Sequence, residues 1–80
     1  MISIIGKYRH FRNRQLYQVI GVALDTVTRD KVVLYNALYD CPELTEEYGD
    51  NPIFTRPYDE FFENVEHEGN RVPRFELINE

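Results

Sequence analysis

The sequence predicts a mainly β protein, a small SH3-like, partly open antiparallel barrel of five to six strands with one short helix before the C-terminal hairpin. Residues 16–24 and 31–39 are rich in β-branched and aromatic side chains and flank a polar loop, which is the pattern of a long hairpin. Gly21 interrupts the first run and predicts a β-bulge or a sharp bend, a common device where a small sheet curls. A flatter sheet with a helix on one face is the alternative architecture.

Three further elements are predicted from shorter patterns in the sequence. Alternation over residues 6–11 predicts a first strand, and residues 53–56 predict a short fourth strand. Pro57 is suited to the first position of a helix of about two turns, because its fixed φ is already helical. The spacing of three aromatic residues then predicts one buried helix face, formed by Tyr58, Phe61 and Phe62.

The remaining segments are an acidic stretch and a closing hairpin. Residues 40–52 carry carboxylates between prolines and predict a mobile acidic loop, with one helical turn over residues 43–48 as the alternative for its middle. Residues 64–68 and 72–78 predict a last hairpin across Gly69 and the following Asn. Pro73 predicts that the final strand lies at an edge of the sheet, because proline cannot donate a ladder hydrogen bond.

Length and composition indicate one small globular domain over residues 1–80, with a core over about residues 6–78. The chain has 80 residues, 42% of them hydrophobic, and its six Tyr and five Phe suffice for one compact core. Cys41 is the single cysteine, so no internal disulfide forms and a reducing compartment, the cytoplasm, is expected. The N-terminal stretch has no cleavage signature and no apolar run is long enough to span a bilayer, so no membrane association is expected.

The charge is acidic overall and unevenly distributed. The formal net charge is −5. Residues 1–39 hold six basic and two acidic residues, whereas residues 40–80 hold three basic and twelve acidic residues. This balance argues against nucleic-acid binding by bulk electrostatics but leaves room for a local basic patch near the N-terminus.

The pattern of chemically reactive side chains favours a protein without a catalytic site, metal or cofactor. His10, His67 and Cys41 have no metal-ligand spacing, and the acidic loop lacks the EF-hand pattern. The lone serine, Ser3, has no adjacent base, and acidic neighbours disfavour a Cys41 thiolate. The four glycines are scattered, so no glycine-rich phosphate loop is present.

A set of aromatic and cationic residues is the predicted ligand-binding site. Residues 7–14 combine four cationic side chains with two aromatic rings, a mixture that can stack bases and neutralise phosphates. Tyrosine-lined faces of SH3-like barrels hold peptides. The alternative is structural, with the aromatic rings in the core and the charges protecting an exposed edge. The predicted site residues are Tyr8, His10, Tyr35, Tyr39 and Arg56.

The order of these residues resembles a bacterial family catalogued as domain of unknown function 1653. The similarity is carried by residues 6–11, 16–23, 32–39 and 72–75, together with Arg56-Pro57 and Phe61. It extends from about residue 6 to residue 77. Because the family has no established activity, the resemblance implies the extent of the domain and no function.

We therefore expect a small binding module that catalyses no reaction. A protein or peptide segment is the first expected ligand, because the chain is acidic overall and rich in tyrosine. Single-stranded nucleic acid, bound by the basic N-terminal patch, is the alternative, and a minor catalytic role is a third. The module is expected to be a monomer, or a weak homodimer formed through an exposed edge strand.

Overall fold

The computed structural model describes residues 4–49 and 51–78, and within them it shows a mainly β fold. A five-stranded antiparallel sheet has the order β4-β3-β2-β1-β7 and does not close, and β5 pairs with β6 in a separate hairpin. The fold class predicted from the sequence is therefore confirmed. The elements are β1 Gly6–His10, β2 Leu16–Leu24, β3 Lys31–Ala37, α1 Pro42–Tyr48, β4 Phe54–Pro57, α2 Tyr58–Phe61, β5 Asn64–His67, β6 Asn70–Pro73 and β7 Phe75–Leu77.

Strand β2 lies at the centre of the sheet, between β1 and β3, as its two largely apolar faces predict. The pairing of β2 with β3 shifts register between Val19 and Gly21. One extra residue, Ile20, is therefore accommodated in β2, which confirms the predicted bulge. Val19 is fully buried, whereas Ile20 is 41% exposed, so the bulge separates a core-facing half of the strand from a more exposed half.

The core lies on one face of the sheet and is mainly aromatic. Helix α2 covers this face with Phe61, which is fully buried and stacks on Phe75 of β7 with ring centroids 4.0 Å apart. Other aromatic rings of the core meet edge to face, the arrangement favoured by the quadrupoles of the rings. The buried residues are Tyr8, Tyr17, Val19, Val33, Tyr35, Phe61 and Phe75.

Helix α2 is shorter than predicted and begins one residue later. Pro57 is the last residue of β4 and has extended backbone angles, φ −51° and ψ 137°, so it precedes the helix instead of opening it. The helix is a single turn of four residues because Phe62 already leaves the helical conformation. The predicted aromatic face is present, since the ring of Phe62 lies 4.9 Å from the rings of both Tyr58 and Phe61.

The segment predicted as an acidic loop contains helix α1, so that prediction was wrong for its central part. Pro42 occupies the first helical turn together with Glu43, a position where a carboxylate interacts favourably with the helix dipole. The helix ends at Gly49, whose φ of 88° lies in a region that glycine adopts without strain. These local signals outweigh the high charge of the segment.

The C-terminal segment forms two strands where one was predicted over residues 72–78. Strand β6 ends at Pro73, and after Arg74 the chain joins the main sheet, where β7 pairs with β1. At the point where the chain passes from β6 to β7, the backbone N–H of Arg74 donates to the carbonyl of Glu63 at 3.0 Å. The predicted hairpin turn was also misplaced by one residue, because His67 pairs with Asn70 and the loop is Glu68-Gly69.

Substitution of Glu68 by asparagine is expected to raise the free energy of unfolding by about 0.5–1 kcal/mol. Glu68 and Gly69 both have positive φ, 53° and 82°, as in the type I′ turn. Asparagine tolerates this conformation better than glutamate does. Urea denaturation measures the unfolding free energy of Glu68→Asn and of the control Glu66→Asn, which changes an exposed position of strand β5. Equal changes at the two positions would contradict the claim that the positive φ of residue 68 favours asparagine.

Candidate functional site

The structure brings four of the five residues of the predicted site onto the core-facing side of the main sheet. His10 of β1 pairs with the buried Phe75 of β7, and Arg56 of β4 pairs with the buried Val33 of β3. Paired residues in an antiparallel ladder share a face of the sheet. Tyr8 and Tyr35 lie on the same face.

The rings of Tyr8 and Tyr35 are part of the core. Tyr8 is 5% exposed and Tyr35 is 6% exposed, and each ring lies 5.4 Å from the ring of Phe61. The hydroxyl of Tyr8 donates to the carbonyl of Ile4 at 3.0 Å. Burial, with a smaller contribution from Tyr58, raises the pKa of Tyr8. Both side chains therefore belong to the core that supports the site.

Phe75 forms a platform that carries two of the predicted polar residues. The ring of His10 lies 4.9 Å from the ring of Phe75, edge to face. The guanidinium carbon of Arg56 lies over the same ring at 5.5 Å from its centroid, within the range of a cation–π interaction. His10 and Arg56 come from strands at opposite sides of the sheet order, so the platform joins parts of the site that are distant in sequence.

Glu60 of α2 holds two arginines in place beside this platform. Its carboxylate accepts from Arg56 Nη1 at 2.8 Å, and its backbone carbonyl accepts from Arg74 Nε at 3.1 Å. Burial opposes the charge of Arg56, but the hydrogen bonds that Arg56 donates to the Tyr35 hydroxyl and to Glu60, with the charge of Glu60, outweigh it and raise the Arg56 pKa. Arg74 also pairs at 3.5 Å with Glu63, whose side chain is 55% exposed.

His10 is surrounded by positive charge. Burial first, and then the charges of Arg56, Arg74 and Arg12, lower the pKa of His10 below its usual value. The Nδ1 atom of His10 accepts a hydrogen bond from the backbone N–H of Arg12 at 3.1 Å, so the neutral ring carries its proton on Nε2. We refer to His10, Arg12, Arg56 and Arg74 as the cationic rim.

We expect the side chain of His10 to titrate below pH 6.5 in the folded protein. The unfolded chain then takes up this proton first on acidification, so the His10 contribution to stability is present above about pH 6.5 and is lost as the pH falls. NMR titration of the ring protons measures the midpoint. The Arg74→Gln variant should raise the titration midpoint of His10, whereas Arg71→Gln, on the exposed strand β6, should leave it unchanged. A midpoint that does not change in Arg74→Gln would contradict the claim that the charge of Arg74 lowers the pKa of His10.

Tyr39 belongs to a neighbouring cluster of hydroxyl groups. Its hydroxyl lies 2.8 Å from that of Tyr17, which also accepts from the side-chain amide of Asn13 at 3.0 Å. Burial, followed by hydrogen bonds to Tyr17 and Cys41, raises the pKa of Tyr39. Since Tyr17 lies 5.6 Å from Tyr35, ring centroid to ring centroid, Tyr39 reaches the core cluster through Tyr17.

Arg74, Phe75 and Glu60 are site residues that the sequence analysis did not single out as ligand-binding, whereas Arg12 belongs to the basic stretch of residues 7–14. Arg74 and Phe75 were noted as a matching stretch of the family, but their placement depends on the pairing of β7 with β1. That pairing has no local signal. The break after Pro73, which ends β6, is the one sequence feature that could have indicated it.

Residues 4–49 and 51–78 contain neither a metal-binding cluster nor a membrane-spanning helix. That part of the chain holds no cluster of three or more His, Cys, Asp or Glu side chains able to bind a metal ion. The helices it contains are too short and too polar to cross a bilayer.

Comparison with protein families assigns most of the chain. The model of a family described as protein of unknown function, DUF1653, matches residues 6–77. The chain belongs to the DUF1653 family. Searches of the curated proteins and of the solved structures gave no match. The matched segment of this DUF1653 protein begins at the first residue of β1 and ends at the last residue of β7, so it contains the cationic rim and the whole core.

Proposed function

We propose that this DUF1653 domain is a binding module, without catalytic activity, that recognises a carboxylate-bearing segment of a partner protein at the cationic rim. The observation that carries the proposal is the placement of Arg56 and Arg74 on Glu60, beside the Phe75 ring that Arg56 and His10 both contact, in a chain whose net charge is −5. Carboxylates are suited to this arrangement, because guanidinium groups bind them through two parallel hydrogen bonds. The single free cysteine is compatible with a cytoplasmic location.

The two arginines of the cationic rim that contact Glu60 are preorganised to bind an anion. Arg56 and Arg74 are already oriented by Glu60, so less conformational entropy is lost when a ligand binds. Their side chains remain 28% and 22% exposed, so part of each guanidinium is available to a ligand. Neutral His10 adds an Nε2–H donor, and an anion bound nearby would favour its protonated form.

Single-stranded nucleic acid is supported less well by the geometry. Arg9 pairs with Glu76 across the β1–β7 ladder, on the face of the sheet opposite Tyr8, so the basic residues of the N-terminal stretch do not form one track. Phe75 is only 4% exposed, and a base therefore cannot stack on the central platform.

The test is an amide chemical-shift titration of the whole chain with a matched pair of peptides. One peptide contains aspartate and glutamate next to an aromatic residue, and the other has asparagine and glutamine at the same positions. We expect the acidic peptide alone to shift His10, Phe75 and the side-chain Nε–H groups of Arg56 and Arg74. A single-stranded DNA and RNA pool at low salt is the third arm. Equal shifts from both peptides, or shifts at the rim from the pool alone, would overturn the proposal.

A further inference from the structure

A second surface, separate from the cationic rim, lies between helix α1 and the start of strand β4. It is an open groove of about 380 Å³ lined by Leu44, Tyr48, Pro52, Ile53 and Phe54. Tyr48 is 65% exposed and Ile53 is 60% exposed. Neighbouring exposed apolar side chains of this kind are typical of interaction sites. We refer to this surface as the α1–β4 groove.

The apolar side of α1 is not covered by the core of the domain. Leu44 and Tyr48 are four residues apart and therefore lie on the same side of the helix. The helix contains no buried residue, and Leu44 is only partly covered. A helix this short is not stable by its own backbone hydrogen bonds, so additional burial of this side would stabilise it.

The segment that contains helix α1 carries only negative charge in its sequence. Residues 40–52 contain five Asp or Glu and no Lys or Arg. Among the ion pairs formed within residues 4–49 and 51–78, the acceptor carboxylates belong to Glu60 and Glu63, so Glu43, Glu46 and Glu47 of α1 have no cationic partner there. The groove therefore complements an apolar segment that carries positive charge.

The groove also adjoins a free edge of the main sheet. Strand β4 is the last strand at this side of the order, and its first residue, Phe54, lines the groove. Within residues 4–49 and 51–78 no strand pairs with the side of β4 that faces away from β3, so its backbone groups on that side can pair with an added strand. In such a strand alternate side chains point the same way, so apolar residues at every second position can face the groove.

We propose that the α1–β4 groove binds an extended segment of another protein in which apolar residues alternate with lysine or arginine. The apolar side chains occupy the groove beside Leu44 and Ile53. The basic side chains leave the segment on its other face, and their long flexible stems carry the positive charges towards the carboxylates of α1. The backbone of the segment pairs with β4. This proposal is independent of the function proposed for the cationic rim, because it uses different residues and the opposite ligand charge.

The experiment is an amide chemical-shift titration of the whole chain with a pool of capped peptides in which leucine, isoleucine or phenylalanine alternates with lysine. A pool with glutamate in place of lysine is the control. We expect the lysine pool to shift Leu44, Tyr48, Ile53 and Thr55, with an effect that weakens as salt is added. The glutamate pool should leave these signals unchanged.

Variants separate the apolar and electrostatic contributions. Ile53→Ser should weaken binding at least about fivefold, because an apolar contact is lost, whereas Val27→Ser, at an 89% exposed turn position, should not. Glu46→Gln with Glu47→Gln should weaken binding about two- to tenfold, and Glu66→Gln should not.

Three outcomes would overturn the proposal. The first is an equal response to the glutamate pool. The second is the absence of shifts at about 1 mM peptide, which corresponds to the weakest useful affinity for such a contact. The third is self-association of the chain in sedimentation experiments, together with amide signals of the groove residues that shift with protein concentration alone. A second copy of the chain would then occupy the groove.

Discussion

The Phe61→Ala variant is expected to lose about 3–5 kcal/mol of unfolding free energy. Phe61 is fully buried, and its ring stacks on Phe75 at 4.0 Å and meets Tyr8 and Tyr35 at 5.4 Å. Removal of the ring leaves a cavity among rigid aromatic neighbours from three strands, which cannot collapse into it easily. Domains of this size have a total stability of about 4–12 kcal/mol, so the variant is expected to be close to unfolding at room temperature.

Urea denaturation followed by circular dichroism measures this loss, with Tyr48→Ala as the matched control. Tyr48 is 65% exposed, so removal of its ring should change stability by no more than about 0.5 kcal/mol. A loss below about 1 kcal/mol for Phe61→Ala would show that the aromatic cluster does not hold the sheet and α2 together.

Arg56→Gln is expected to weaken binding of the acidic peptide about 10- to 100-fold, provided that the rim is the site. A hydrogen bond to a charged partner contributes about 1.5–3 kcal/mol, and glutamine cannot replace the guanidinium. Arg56 is the arginine that connects the platform, the Tyr35 hydroxyl and Glu60. Its loss therefore removes both charge and orientation from the rim.

Isothermal titration calorimetry measures the affinity, and two further variants separate binding from folding. Arg71→Gln removes the same charge from the exposed β6 and should leave the affinity within about twofold. Arg56→Lys keeps the charge but loses the planar fork, so an intermediate affinity is expected. An Arg56→Gln protein that retains its amide spectrum and binds as tightly as the wild type would exclude the rim as the site.

The sequence predicted the central hairpin and its bulge well because both are encoded locally. The apolar alternation of β2 and β3 and the position of Gly21 are visible in a short window of sequence. The placement of Tyr8 and Tyr35 on one face depends on the registers that pair both β1 and β3 with β2. Their burial depends on Phe61 of a helix that lies more than 25 positions from Tyr35 in the chain.

The errors have two physical causes. Helix α1 was missed because its acidic composition was given more weight than Pro42 and Gly49, the two residues that mark its ends. The division of the last strand was missed because β7 contacts β1, from the other end of the chain, and such distant pairing leaves no periodic signal. The cationic rim depends on that same pairing, so Arg74 and Phe75 could not be placed from sequence alone.

The pairing of β1 with β7 also has a consequence for the order of assembly. The strands from β1 to β4 pair with their neighbours in sequence, whereas β7 must return across nearly the whole chain to meet Tyr8 and His10. Closing so long a loop is entropically costly before the contacts form, so we expect β7 to dock late in folding. A circular permutant that links Leu77 to Gly6 and opens the chain between α2 and β5 should make this pairing local, keep the other strand pairs local, and accelerate folding.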